Sequence, residues 1–214
     1  MKNLTTFYKL LGLFCLLVGL SAFVVYPSLP AQIPTHWGIS GQVDDYSDKI
    51  MIFALSFLPL LMMLIFVIAP KIDPKKQAYE IHGKAYRTVT LVMVLFLSLV
   101  YAITTAVALG YDLPVDTLVK LGIAVVFIVL GNVLKQVRHN YFFGIRTPWT
   151  LASEEVWRRT HRLGSYAFIL AGLFAFVSVF LKGALSFYIM IIPILFISLG
   201  VTLYSLIIFK QLQK

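Results

Sequence analysis

The chain has a single cysteine, Cys15, and it sits inside an apolar run, so no intramolecular disulfide can brace the fold and helix packing must hold it. Charge is scarce too: 13% of residues are charged against 60% hydrophobic, and only 9 are Asp or Glu. With a mean hydropathy of +0.90, the chain is more apolar than a soluble domain with a wettable surface. No stretch suggests a separate soluble domain. The apolar runs show no period-2 alternation, which argues against a membrane β-barrel and for spanning helices of about 20 residues. No carboxylate falls in the middle of a run, which counts against a proton-driven pump. G-x-S-x-G, H-E-x-x-H and Gly-rich phosphate loops are missing as well, so no recognisable catalytic centre or nucleotide-driven exporter is encoded.

What is present is six apolar runs. They cover Phe7 to Tyr26, Ile50 to Ala69 (containing Pro59), Val89 to Leu109, Leu118 to Leu134, Gly164 to Leu181, and Ser186 to Ile208. The first is long for a signal-peptide core and is followed by no A-x-A-like site, so it reads as a span. The predicted fold is therefore an all-α polytopic membrane protein with six transmembrane helices. Asp73 and Pro74 suit an N-cap and first helical position, predicting a helix from Pro74 to Arg87 that runs into the third span. Asp116 can cap the fourth span and lies i,i+4 from Lys120. Ala167, Ala171 and Ala175 form a small-residue packing stripe on the fifth.

Lysine and arginine set the orientation. Lys2, Lys9, Lys71, Lys75, Lys76, Lys84, Arg87, Lys135, Arg138, Arg146, Arg158, Arg159, Arg162, Lys210 and Lys214 fall on one side, and Lys49, Lys120 and Lys182 on the other. Fifteen against three places both termini on the cytoplasmic side of a cell membrane (N-in/C-in), and explains the net charge of +9 without nucleic-acid binding. Two units are expected: residues 1–70, a two-span unit with an external loop, and residues 71–214, a four-span unit whose motif occupies residues 131–164.

The external loop, Pro27 to Lys49, carries His36, Trp37, Asp44, Asp45 and Asp48. Imidazole and carboxylates could hold a divalent metal such as zinc or manganese, although no tight ligand spacing supports one. The same loop could instead be an acidic turn with Trp37 at the interface, or a surface that meets a cationic or apolar peptide. No cofactor is implied.

Asn140 to Leu163 is a polar island between spans. Ser153 is a natural N-cap with Glu154 and Glu155 behind it, predicting a short surface helix from Glu154 to His161 before the fifth span. Its Arg158, Arg159 and Arg162 can reach phosphates of membrane lipids. Arg146, after Tyr141-Phe142-Phe143-Gly144 and before Thr147-Pro148-Trp149, is expected to be partly buried and held by carbonyls or by Glu155. His139 and His161, with His82, could form an acid/base pair or a metal cluster, but no nucleophile accompanies them.

Gly131-Asn132 and the run from Asn140 to Gly164, containing G-x-R-T-P-W-T-L and then E-x-V-W, resemble the SdpI family of bacterial membrane immunity proteins. The amino-terminal I-P-x-H-W with Gly41 and Asp44 to Lys49 is similar to a small domain of unknown function often found before it. The resemblance implies a non-enzymatic role: immunity to a secreted membrane-active peptide toxin met on the external face, with a transcriptional repressor held at the cytoplasmic face. It points to Asn132, Asn140, Gly144, Arg146, Thr147, Pro148, Trp149, Thr150, Glu155 and Trp157 as the functional motif. The competing reading is a membrane-embedded enzyme or lipid-headgroup-handling protein built on Arg146, Glu155 and the histidines.

Overall fold

A computed structural model describes residues 2–39 and 41–213, and the side chains of these except residues 2–5. Lys214 lies outside the described residues, as does the side chain of Lys2. Six helices among the described residues are long and apolar enough to cross a membrane, so the chain is a six-span polytopic protein. They are α1 (Lys2–Val25), α2 (Met51–Ile72), α4 (Gly83–Ala108), α5 (Val115–Leu134), α7 (Glu154–Ser178) and α8 (Gly183–Leu212), with the short α3 (Ala78–Ile81) and α6 (Pro148–Ala152) between them. Each span packs on the next: α1 on α2, α2 on α4, α4 on α5, α5 on α7, and α7 on α8.

The closest of these approaches joins α5 to α7, and small residues explain it. A Cβ at Gly131 would lie 2.7 Å from the Ile169 backbone nitrogen, and one at Gly172 would lie 2.9 Å from the Ala124 carbonyl oxygen. Ser165 Oγ donates to the Gly131 carbonyl at 2.6 Å across this seam. Ala171 and Ala175, from the predicted stripe, are fully buried. In the bilayer such close backbone contact replaces the hydrophobic drive that water provides to soluble bundles.

Several local expectations are corrected. The segment expected to be an external loop is an antiparallel hairpin of β1 (Gln32–Trp37) and β2 (Val43–Asp48), entered through a 3-10 turn at Tyr26–Ser28. Ile33 anchors it in an apolar cluster with Leu29, Ile52 and Tyr101. The helix expected from Pro74 to Arg87 is broken: residues 74–77 turn, α3 lasts four residues, and His82, with φ −100° and ψ 19°, separates it from α4. Asp116 sits in the first turn of α5 behind Pro114 and is not its cap, but it does pair with Lys120. The predicted surface helix from Glu154 to His161 is the first part of a continuous α7. Ser153 Oγ accepts the Val156 amide as expected, and nothing stops the helix at Gly164, whose missing side chain makes room for Ile145 and Leu134.

Candidate functional site: a buried polar clasp

At the end of the bundle that carries both termini, the α5–α7 connection folds down onto the α2–α4 connection. Asn140 is fully buried and organises this contact. Its Oδ1 accepts the amides of Phe142 (3.0 Å) and Phe143 (2.7 Å), and its Nδ2 donates to the carbonyls of Arg138 (2.8 Å) and Phe143 (2.9 Å). A carboxamide can serve two donors and two acceptors at once, and this loop needs both.

Asp73 answers from the other connection. Its Oδ1 accepts the Lys75 amide at 2.7 Å, and its Oδ2 accepts the Tyr141 amide at 2.9 Å and the Tyr79 hydroxyl at 2.8 Å. The Tyr79 hydroxyl also lies 3.1 Å from Asn140 Oδ1, so one phenol ties the two organisers together. Burial and the neighbouring Asp73 carboxylate push the Tyr79 phenol upward, keeping it a donor.

Three histidines sit around this contact, each with a tautomer set by its partners. The Arg138 amide donates to His82 Nδ1 at 3.1 Å, and the Lys75 ammonium lies 2.8 Å from His139 Nδ1; amides and ammoniums only donate, so both rings carry their proton on Nε2. His161 has the opposite arrangement: Nδ1 lies 2.9 Å from the Trp157 carbonyl and Nε2 3.0 Å from the Ile145 amide, so its proton is on Nδ1. Burial and the Arg138 charge push His82 down to about 4, and burial with Lys75 lowers His139. Among the described residues no three His, Cys, Asp or Glu side chains converge on a point where a metal could sit.

Trp157 is the hydrophobic centre of the clasp. Its ring stacks on His161 at 4.0 Å, faces His139 at 5.0 Å, and donates from Nε1 to the Val137 carbonyl at 2.9 Å. Gly144 passes across this stack with φ +115°, a left-handed conformation that glycine adopts without strain. A Cβ there would also collide with His161 Nε2 and crowd the Trp157 ring.

The threonines of the motif close the far side. Thr147 and Thr150 form a reciprocal capping box on α6: the Thr150 amide donates to Thr147 Oγ1 at 3.1 Å, and the Thr147 amide to Thr150 Oγ1 at 2.8 Å. Thr150 Oγ1 in turn donates to the Ile145 carbonyl at 2.9 Å. Ser205 Oγ donates to the Thr202 carbonyl, so the 2.9 Å contact between Thr147 and Ser205 is a bond donated by Thr147, and it fastens the loop to α8.

The structure thus brings together Asn140, Gly144, Thr147, Thr150 and Trp157, and leaves other motif residues outside the clasp. Arg146 is exposed and donates to one carbonyl, that of Tyr141, at 2.9 Å. Glu155 does not reach it. That carboxylate is held by Arg158 at 2.7 Å and Arg159 at 2.6 Å on its own helix, because i,i+3 and i,i+4 neighbours are nearer. Asn132 is exposed on α5 and bonds back to the Ile128 carbonyl at 2.9 Å. Pro148, exposed, fills the first position of α6, and Trp149 is half-buried. Sequence reasoning missed Asp73, Lys75 and Tyr79 as clasp residues. Asp73 showed only as a helix cap, and nothing local marked a partner 68 residues away.

At the opposite end, the hairpin presents His36 and Asp44, paired at 2.5 Å and well exposed. Asp45 Oδ1 instead accepts the Tyr46 amide and Asp48 Oδ1 the Ile50 amide, so the four residues do not form one ligand set. Trp37, half-buried, ends β1 opposite Val43.

Fold and clasp define a six-span membrane protein whose two halves are joined by buried polar side chains at one end. Residues 136–208 match the SdpI/YfhL protein family, and residues 13–63 match a domain of unknown function (DUF1648). Along its length it is similar to the immunity protein SdpI of Bacillus subtilis (strain 168), at 28% identity over 194 residues, or 91% of each chain. No solved structure matches it.

Proposed function

We propose that this protein confers immunity to a secreted, membrane-active peptide toxin. The observation that carries the reading is end-to-end similarity to a protein named for immunity, covering 91% of both chains and including the hairpin as well as the clasp. In this reading residues 1–70 present the hairpin, with His36, Trp37, Asp44, Asp45 and Asp48, to the toxin outside the cell. Residues 71–214 carry the clasp and its motif on the cytoplasmic side, where the lysines and arginines concentrate and both termini lie. The exposed Arg146 and half-buried Trp149 are the motif groups free to meet an intracellular partner such as a transcriptional repressor. Toxin binding would then favour one arrangement of the helices over another.

The direct test is expression in a toxin-sensitive Bacillus subtilis strain lacking its own immunity protein. Protection by the wild-type chain is expected, along with loss of protection in Arg146→Ala and Trp149→Ala at normal membrane levels. A wild-type chain that inserts normally and gives no protection refutes the reading.

A further inference from the structure

A cleft of about 510 Å³ lies beside the clasp, between the start of α1, the end of α2 and the start of α4. Its floor is aromatic, formed by Tyr8, Phe66 and Tyr86, and Lys71, Lys84 and Arg87 stand at its rim. Glu80 is the one carboxylate in the lining, so the cleft carries a net positive charge. Four ion pairs form among the described residues, and none takes Lys71, Lys84 or Arg87. Arg87 is moreover half-buried, where a guanidinium without an anion is poorly solvated.

The helices bordering the cleft continue as lipid-facing surface. On α4, Arg87, Leu91 and Leu95 follow at i,i+4 spacing, with the two leucines 38% and 47% exposed. On α2, Lys71, Val67 and Leu64 follow at i,i+4 and i,i+3 spacing, with Leu64 42% exposed. Each strip is cationic at the helix end and apolar towards the middle of the span, the profile of a phospholipid with an anionic head and hydrocarbon tails. Basic pockets between helix ends are where such headgroups bind.

We propose that this cleft is a binding site for one anionic glycerophospholipid, its phosphate held by Lys84, Arg87 and Lys71 and its chains lying along α2 and α4. The bound lipid would press on Tyr86 and Tyr79, which are also walls of the clasp: Tyr86 packs edge-on against Phe143 at 5.2 Å, and Tyr79 carries the bond to Asp73. The site does not depend on the immunity reading.

The test is native mass spectrometry of the delipidated full-length protein, titrated with phosphatidylglycerol or phosphatidylcholine of identical chains. One retained phosphatidylglycerol is expected, bound at least tenfold tighter than phosphatidylcholine, on the order of the contribution of one or two basic side chains. Lys84→Gln with Arg87→Gln, both outside the clasp, should weaken it by roughly ten- to thirty-fold. Arg159→Gln with Arg162→Gln removes equal charge from α7 and should leave it within about twofold, since exposed charges that do not line the cleft are screened from it. Equal loss in both double variants, equal binding of the two lipids, or displacement of the lipid by millimolar inorganic phosphate would each overturn the proposal. The comparison of the two lipids on wild-type protein decides even if a variant misfolds.

Discussion

The hairpin and the clasp handle polar groups in opposite ways. In the hairpin, the acidic and imidazole side chains are exposed and answered by near neighbours: His36 meets Asp44 across the hairpin, and Asp45 and Asp48 cap amides one and two residues on. At the clasp end, polar side chains are buried and answered across 61 residues (Tyr79 to Asn140) or 68 (Asp73 to Tyr141). A buried polar group costs stability unless its partners are in place, so the clasp fixes shape, whereas the hairpin's exposed groups are free to change with little consequence for the fold. The hairpin surface could therefore diversify while the clasp stays fixed.

The sharpest way to break this contrast is Asn140→Ala. It leaves the Phe142 and Phe143 amides and the Arg138 carbonyl without their partner, and should cost about 4 kcal/mol, read as a large drop in melting temperature of the detergent-solubilised protein. A change under about 1 kcal/mol would mean that the clasp does not hold the two connections together. Gly144→Ala should cost about 3 kcal/mol in the same assay, from a disfavoured φ and a collision with His161.

A pH titration probes the same end more gently. His82 is held near 4 in the folded protein, against about 6.5 in an unfolded chain, so folding stability is intact above about pH 6.5 and is lost as the pH falls towards 4. The loss attributable to this ring is at most about 3 kcal/mol. His82→Gln, which keeps an acceptor for the Arg138 amide but cannot titrate, should make the melting-temperature profile shallower between pH 6.5 and 4; an unchanged profile would remove His82 from the account.

The hairpin should barely register by comparison. His36→Ala and Asp44→Ala break an exposed pair and are expected to shift stability by no more than about 0.5 kcal/mol, while protection against the toxin, scored in cells, falls. Orientation can be read at both ends, because Cys15 is fully buried and silent. Asp45→Cys should react with an impermeant maleimide in intact cells, and Lys76→Cys only after permeabilisation. The reverse pattern would invert the proposed topology.

How legible these features were in the sequence follows from how local their causes are. The spans were legible because hydropathy is a local property, and Ser153 and the Asp116–Lys120 pair because caps and i,i+4 contacts reach only one turn. Gly144, Thr147 and Thr150 stood out within one short motif. Arg146 misled: its aromatic surroundings in sequence suggested burial, yet Tyr141 and Phe142 are themselves exposed, and Glu155 was already claimed within its own helix. Asp73, Lys75 and Tyr79 were not legible as a site, since only tertiary structure brings them to residues 138–141. The hairpin was missed because its prolines and glycines read as turns, while a pairing of six-residue strands with bulges gives little alternation.

The clasp gives the chain a self-addressing seam. A cut at the exposed turn of residues 110–114 would divide it so that one fragment keeps α1, α2 and α4 with Asp73 and Tyr79, and the other keeps α5, α7 and α8 with Asn140 and Tyr141. Asp73 and His82 on the first piece would still be the acceptors for the Tyr141 and Arg138 amides of the second. Two separately translated halves therefore have a physical reason to find one another in the bilayer and rebuild the whole, in a protein that has no covalent staple to do it.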